Sequence, residues 1–164
     1  MIAAGCKPGE VFGVDCAVIQ SSGAFQRPLD WGRVTYEFQD PTYPEHRGID
    51  LGQSGQGGGT VMAAGSGKVL NAGWHHELGN YVMIVHNYKG KQLVTTYAHM
   101  QNGSLSVSSG QSVSSGTALG KVGTTGLSFG NHLHFVFQEG VGGQRVNPRR
   151  YVSFPPKLVS WNGR

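Results

Sequence analysis

The sequence predicts an all-β fold, and two observations carry that expectation. Glycine is abundant, at 27 of 164 residues, while charged residues make up only 13%, a composition that suits a turn-rich β protein better than a helical bundle. Short runs rich in Val, Thr and Tyr recur along the chain and are separated by Gly-rich or Asn/Ser-rich breaks. The longest apolar runs, at 81–85 and 133–136, fall far short of the roughly 20 residues of a membrane-spanning helix. The expected architecture is antiparallel, a partly open barrel or sandwich with a groove over one sheet face. At 164 residues the chain is long enough for one domain with an ordinary core.

Residues 1–25 show no periodicity and read as an N-terminal arm. Cys6 and Cys16 are the only cysteines, too few for a thiolate zinc site, and are expected to close a disulfide loop in an oxidising, extracellular compartment. The opening Met-Ile-Ala-Ala-Gly-Cys has no charged n-region and no apolar h-region. Secretion is expected, with its targeting signal outside this sequence. A domain over 26–154 and a tail over 155–164 follow.

Within the domain, strands are expected at 33–38, 60–64, 68–74, 81–86, 92–99, 117–122 and 132–138. Asn87-Tyr88-Lys89-Gly90 is the clearest hairpin turn, flanked by two β-prone runs. The Gly-rich run 52–59 lacks the Gly-Lys-Ser/Thr ending of a phosphate-binding loop and reads as a mobile loop. Val107-Ser-Ser-Gly110 and Val113-Ser-Ser-Gly116 form a short repeat, paced like biotinyl and lipoyl carrier domains. Such carriers need a Lys on a hairpin tip in an Asp/Met-Lys setting, and none is present, although Lys89 and Lys91 lie at a turn.

The formal charge of +4 and pI near 9.2 suit an anionic surface, and wall polymers, nucleic acid or lipid headgroups would all qualify. Nucleic acid is not an expected partner: basic residues are scattered except at Arg145, Arg149 and Arg150, without interleaved aromatics. Membrane insertion is not expected either, and the chain is taken as a monomer.

Seven histidines make metal binding the first chemistry to test. In His132-Leu133-His134-Phe135-Val136-Phe137 the residues alternate, so a strand sends Leu133, Phe135 and Phe137 to the core and both histidines to the other face. Residues two apart on a strand are about 6.6 Å apart. Both rings can therefore reach one metal, or one can bind it while the other meets its water; geometry alone leaves this open. His46 and Asp50 offer one nitrogen and one carboxylate, a combination suited to zinc. If extended, the segment would part them by about 13 Å, so the chain must bend, and Gly48 permits that bend. His99 ends the strand 92–99, on one face with Thr95 and Tyr97. His75, His76, Glu77 and His86 read as solvated loop residues.

His46-Arg-Gly-Ile-Asp50, Tyr97-Ala-His99 and His132-Leu-His134-Phe135 together, in this order and spacing, resemble the lysostaphin-type (LytM-like) zinc endopeptidases. The resemblance runs from about residue 25 to 151 and takes in Arg27-Pro28-Leu29, Gly79-Asn80-Tyr81-Val82, Gly123-Thr-Thr-Gly126 and Asn147-Pro148. It implies a Zn2+ held by His46, Asp50 and His134, with His99 and His132 as the catalytic pair and peptidoglycan peptides as substrate. Many relatives carry Pro before the histidine pair and an acidic residue after its Phe, where this chain has Asn131 and Val136. Neither is an implied ligand. The competing expectations are a catalytically silent relative that binds peptidoglycan or activates another hydrolase, and a carrier-like β domain.

Overall fold

The structure is a computed structural model, and it describes residues 25–162. The Cys6–Cys16 bridge and residues 1–24 of the expected arm lie outside the described residues.

Among the described residues the chain forms β1 (Arg33–Tyr36), β2 (Ile49–Gly52), β3 (Thr60–Met62), β4 (Gly67–His75), β5 (Gly79–Tyr88), β6 (Lys91–Met100), β7 (Ser112–Val113), β8 (Ala118–Lys121), β9 (Leu133–Glu139) and β10 (Gln144–Val146), then a single 3-10 turn at Pro148–Arg150. The large sheet runs β1-β2-β9-β6-β5-β4-β7, with β10 also on β9, and β3 and β8 form a separate ribbon. Every pairing between these strands is antiparallel. The outer strands β1 and β7 do not pair with each other, so the sheet stays open. No described helix is long and apolar enough to cross a membrane.

The seven expected strands are all present. The hairpin between β5 and β6 closes through Lys89 and Gly90, both at positive φ (53° and 79°), the two-residue turn whose twist matches its flanking strands. Not anticipated were β2, β7 and β10, each two to four residues long and too short for a period to show.

Alternation along the central strands divides their side chains between two faces. Ile49, Leu51, Tyr97, Leu133, Phe135 and Phe137 bury into the main core, which Val61 and Leu119 of the ribbon share. Burying side chains of this size stabilises by roughly 1.5–3 kcal/mol each. On the opposite face the register lines up Asp50, His134 and Ala98 across β2, β9 and β6. The core row thus fixes the position of the polar row. The segment read as a tail is packed: Trp161 is buried, pairs with Gly32 and donates its indole N–H to Leu29 O.

Candidate metal centre and cleft

Asp50 is the hub of the polar row. Its Oδ1 lies 3.0 Å from His46 Nε2 and 2.9 Å from His134 Nδ1, and its Oδ2 lies 3.6 Å from His132 Nε2. His134 stands directly opposite Asp50 on β9, so that contact follows from strand register. His46 arrives from the loop before β2, and the chain bends as expected between the two. Gly48 serves a different end from the one anticipated: it is not among the positive-φ residues. A Cβ there would come within 2.7 Å of His134 Cε1 and 2.8 Å of Phe135 O. Glycine at 48 lets the entry to β2 lie against the His134 ring.

His99 required more than alternation. Between Tyr97 and Met100 β6 carries one residue more than the facing stretch Asn80 to Val82, a β-bulge, and His99 sits in it at φ 67°. A non-glycine residue in this region costs of order 1–3 kcal/mol. The bulge turns the ring away from the core side taken by Tyr97, to 4.9 Å from His132 and 6.0 Å from His134 between centroids. The expectation that His99 shares a face with Thr95 and Tyr97 is therefore corrected.

Three of the four rings are held by one device. His46 Nδ1 lies 2.8 Å from Glu37 O, His99 Nδ1 2.7 Å from Thr125 O and His132 Nδ1 2.8 Å from Gly130 O. A carbonyl oxygen only accepts, so each Nδ1 carries a proton, and in a neutral ring that leaves the lone pair on Nε2. Nothing in a sequence marks which backbone carbonyl will do this. Tyr43 also stacks on His46, with centroids 5.1 Å apart.

The charges agree with this arrangement. Burial opposes ionisation of Asp50 most strongly, but hydrogen bonds from His134 and His46, with the charges of His134 and His132, outweigh it and hold the carboxyl well below the usual range. Burial is also the largest influence on His46 and favours its neutral form, yet Asp50 and the Glu37 carbonyl raise it on balance. Burial, joined by the charges of His132 and His134, pushes His99 down to about 4 against the pull of the Thr125 carbonyl. His99 is therefore neutral at pH 7.

His46, Asp50 and His134 offer ligand atoms that all lie within 4.8 Å of one another, which positions them to coordinate a divalent metal. Tetrahedral ligands about 2 Å from zinc lie about 3.3 Å apart, close to the 2.9 and 3.0 Å seen here. Two imidazoles and one carboxylate are a donor set that fits Zn2+ and leaves a fourth position open. The three residues line an open cleft of about 1060 Å³, together with His99 and His132. Exposed Phe129 and Leu127 also line it, and Tyr36 and Tyr43 stand by His46.

The remaining histidines divide. His76 is exposed in the loop after β4, as expected. His86 is not a solvated loop residue: it is fully buried on β5, between Ser66 O at 2.9 Å and Thr95 Oγ1 at 2.8 Å. The turn begins at Lys89, two residues later than its Asn87 suggested.

A model of peptidase family M23 matches residues 44–148. The chain belongs to this family. Among M23 relatives, a peptidoglycan DD-endopeptidase, ShyC, of Vibrio cholerae is 36% identical over 134 residues, 77% of this chain and 29% of that protein. The DD-carboxypeptidase/endopeptidase Mpg of Neisseria meningitidis is 33% identical over 152 residues, 88% of this chain and 33% of that protein. The chain thus spans about a third of the length of these curated relatives. The catalytic domain of the antimicrobial peptidase lysostaphin from Staphylococcus simulans matches with a TM-score of 0.57 at 26% identity, covering 74% of this chain and 90% of that domain.

Proposed function

We propose that this chain is a zinc-dependent endopeptidase that hydrolyses peptide bonds in bacterial peptidoglycan, with His46, Asp50 and His134 as metal ligands and His99 and His132 as the catalytic pair. The observation that carries the reading is the convergence of three imidazoles, His46, His132 and His134, on the Asp50 carboxylate with the His99 ring beside them, three of the four rings having their Nδ1 protons fixed by backbone carbonyls. The family membership and the names of the relatives support the substrate class.

A Zn2+ bound there would polarise the scissile carbonyl and acidify a water molecule. The chain's own residues supply the rest. His99, neutral and with Nε2 unprotonated, is suited to accept a proton from the attacking water. His132, its ring 4.9 Å away, is suited to take that proton from His99 onto its own Nε2, to steady as an imidazolium the charge that develops on the carbonyl oxygen, and to pass the proton to the departing amine. No nucleophilic side chain is needed. The apolar lining at Leu127, Phe129, Tyr36 and Tyr43 gives an extended peptide surfaces to lie between. All five proposed residues lie in one chain, which suits a monomer, and a cell-wall substrate supports a location outside the cytoplasm. A net charge of +4 favours an anionic wall.

The test is digestion of purified peptidoglycan, with mass spectrometry of the released peptides before and after chelation. New peptide termini that vanish on chelation are expected. Equal release by metal-free protein would refute the mechanism, and zinc binding without release would favour a catalytically silent wall binder. Comparing two peptidoglycans of different chemistry locates the bond, in the stem peptide or in a cross-bridge.

A further inference from the structure

We infer that Arg149 is a positioning residue for the metal ligand His46, acting through Glu37, and that the segment from Asn147 to Trp161 thereby sets how tightly the site holds its metal. The inference rests on His46 being a ligand, as proposed above. It begins with the carbonyl of Glu37, which accepts the Nδ1 proton of His46 at 2.8 Å and a backbone N–H from Asp40 at 3.2 Å. That carbonyl decides which nitrogen of His46 faces Asp50, so whatever holds Glu37 in place also holds the ligand.

Glu37 is held by Arg149, 112 residues away. Arg149 Nε donates to Oε1 at 2.9 Å and Nη2 to Oε2 at 3.0 Å, a two-pronged pairing. The same guanidinium donates through Nη1 to Phe154 O at 2.7 Å and through Nη2 to Pro155 O at 2.8 Å. Both partners are about three-quarters buried, with side chains 26% exposed. One planar cation therefore fastens the end of β1 to the segment after the 3-10 turn.

A second strut lies three residues on. Asp40, fully buried, accepts from Lys157 Nζ at 2.8 Å through Oδ2, and from the Thr42 N–H at 2.9 Å and Thr42 Oγ1 at 2.7 Å through Oδ1. The stretch 37–43 thus gives His46 both its carbonyl and its stacking partner Tyr43, and both its acidic anchors are gripped by cations of the C-terminal segment. Partners that orient a metal-bound imidazole commonly change metal affinity 10- to 100-fold, about the range to expect here. Lysine at 149 keeps the charge but loses the fork, so it should not restore the geometry.

The experiment is a zinc dissociation constant, measured by competition with a chromophoric chelator, for the wild type, Arg149→Gln, Arg149→Lys, Glu37→Gln and the Glu37→Gln/Arg149→Gln double variant. Arg150→Gln is the control, because Arg150 pairs with Glu139 at 3.1 Å outside this chain of contacts. About tenfold weaker zinc binding is expected for each of the first three variants, with no further loss in the double variant, a changed visible spectrum of the cobalt-loaded protein, and wild-type behaviour for Arg150→Gln. Wild-type affinity and an unaltered cobalt spectrum at Arg149→Lys and Glu37→Gln would overturn the inference. So would a fall in the melting temperature of the metal-free protein with no change in zinc affinity. If Arg149→Gln does not fold, Arg149→Lys and Glu37→Gln carry the test. His46→Ala is measured alongside: should it bind zinc as the wild type does, the ligand assignment itself is what fails.

Discussion

His86 and His99 stand on neighbouring strands, and each gives its Nδ1 proton to a backbone carbonyl, Ser66 O at 2.9 Å and Thr125 O at 2.7 Å. Burial is the largest influence on both, and both are pushed down to about 4. They differ in what meets Nε2. For His86 it is the Thr95 hydroxyl at 2.8 Å, which in turn accepts from Tyr97 OH at 2.8 Å, while Tyr97 accepts from the Ala64 N–H at 2.9 Å. Every proton in that line has a fixed acceptor, and burial lifts the Tyr97 phenol to about 12. The His99 ring instead shares the cleft with His132, His134 and Asp50. The comparison teaches that a buried neutral histidine is not in itself a catalytic one. A ring whose second nitrogen is satisfied holds the fold together; a ring whose second nitrogen is left available can do chemistry.

The largest effect that can break this contrast is at the hub. Asp50→Ala removes the carboxylate shared by His46 and His134, and metal content and hydrolysis should fall together to background; normal zinc in this variant would exclude Asp50 as a ligand. Next, His99→Ala and His132→Ala should each retain zinc while turnover drops about 10²–10⁴-fold. The double variant should lose little more, because one proton-handling pair cannot be lost twice. Additive losses would mean that the two rings act separately.

His86→Leu should show the converse, with zinc content and turnover per folded molecule unchanged. It removes the ring that bridges Ser66 O and the Thr95 hydroxyl, a loss of buried hydrogen bonds of about 1–3 kcal/mol, which a denaturant titration reads directly. Unchanged stability would show that the buried line of hydrogen bonds contributes nothing.

The smallest effect is a pH dependence from the same residue. The folded pKa of His86, about 4, is depressed from 6.5, so the unfolded chain binds more protons between these values. The stabilisation is fully present above pH 6.5 and is lost as pH falls through 4. The stability gap between wild type and His86→Leu should therefore narrow over that window and stay constant above it. A gap that widens on acidification would contradict the buried neutral ring.

Much of the architecture was legible because the strands that build the centre, β5, β6 and β9, are long enough for their period to show. The pairing of His132 with His134 on one face came from the same alternation. Asp50 was legible as chemistry but not as part of a strand, because β2 is four residues and runs straight into a Gly-rich loop. His99 escaped the alternation rule because a bulge adds one residue to one strand only, and that depends on the partner strand. His86 was misread because its burial is set by Ser66 and Thr95, which reach it only in the folded sheet. The carbonyls that fix the rings belong to Glu37, Thr125 and Gly130, and any side chain at those positions would present the same oxygen.

The most direct test of the account is the zinc content of two variants two residues apart. His134 faces Asp50 Oδ1 at 2.9 Å, whereas His132 stands 3.6 Å from Oδ2 with its Nδ1 on Gly130 O. Elemental analysis of the purified proteins should find about one zinc per chain in the wild type and in His132→Ala, and almost none in His134→Ala. Zinc retained by His134→Ala and lost from His132→Ala would reverse the assignment and contradict the account.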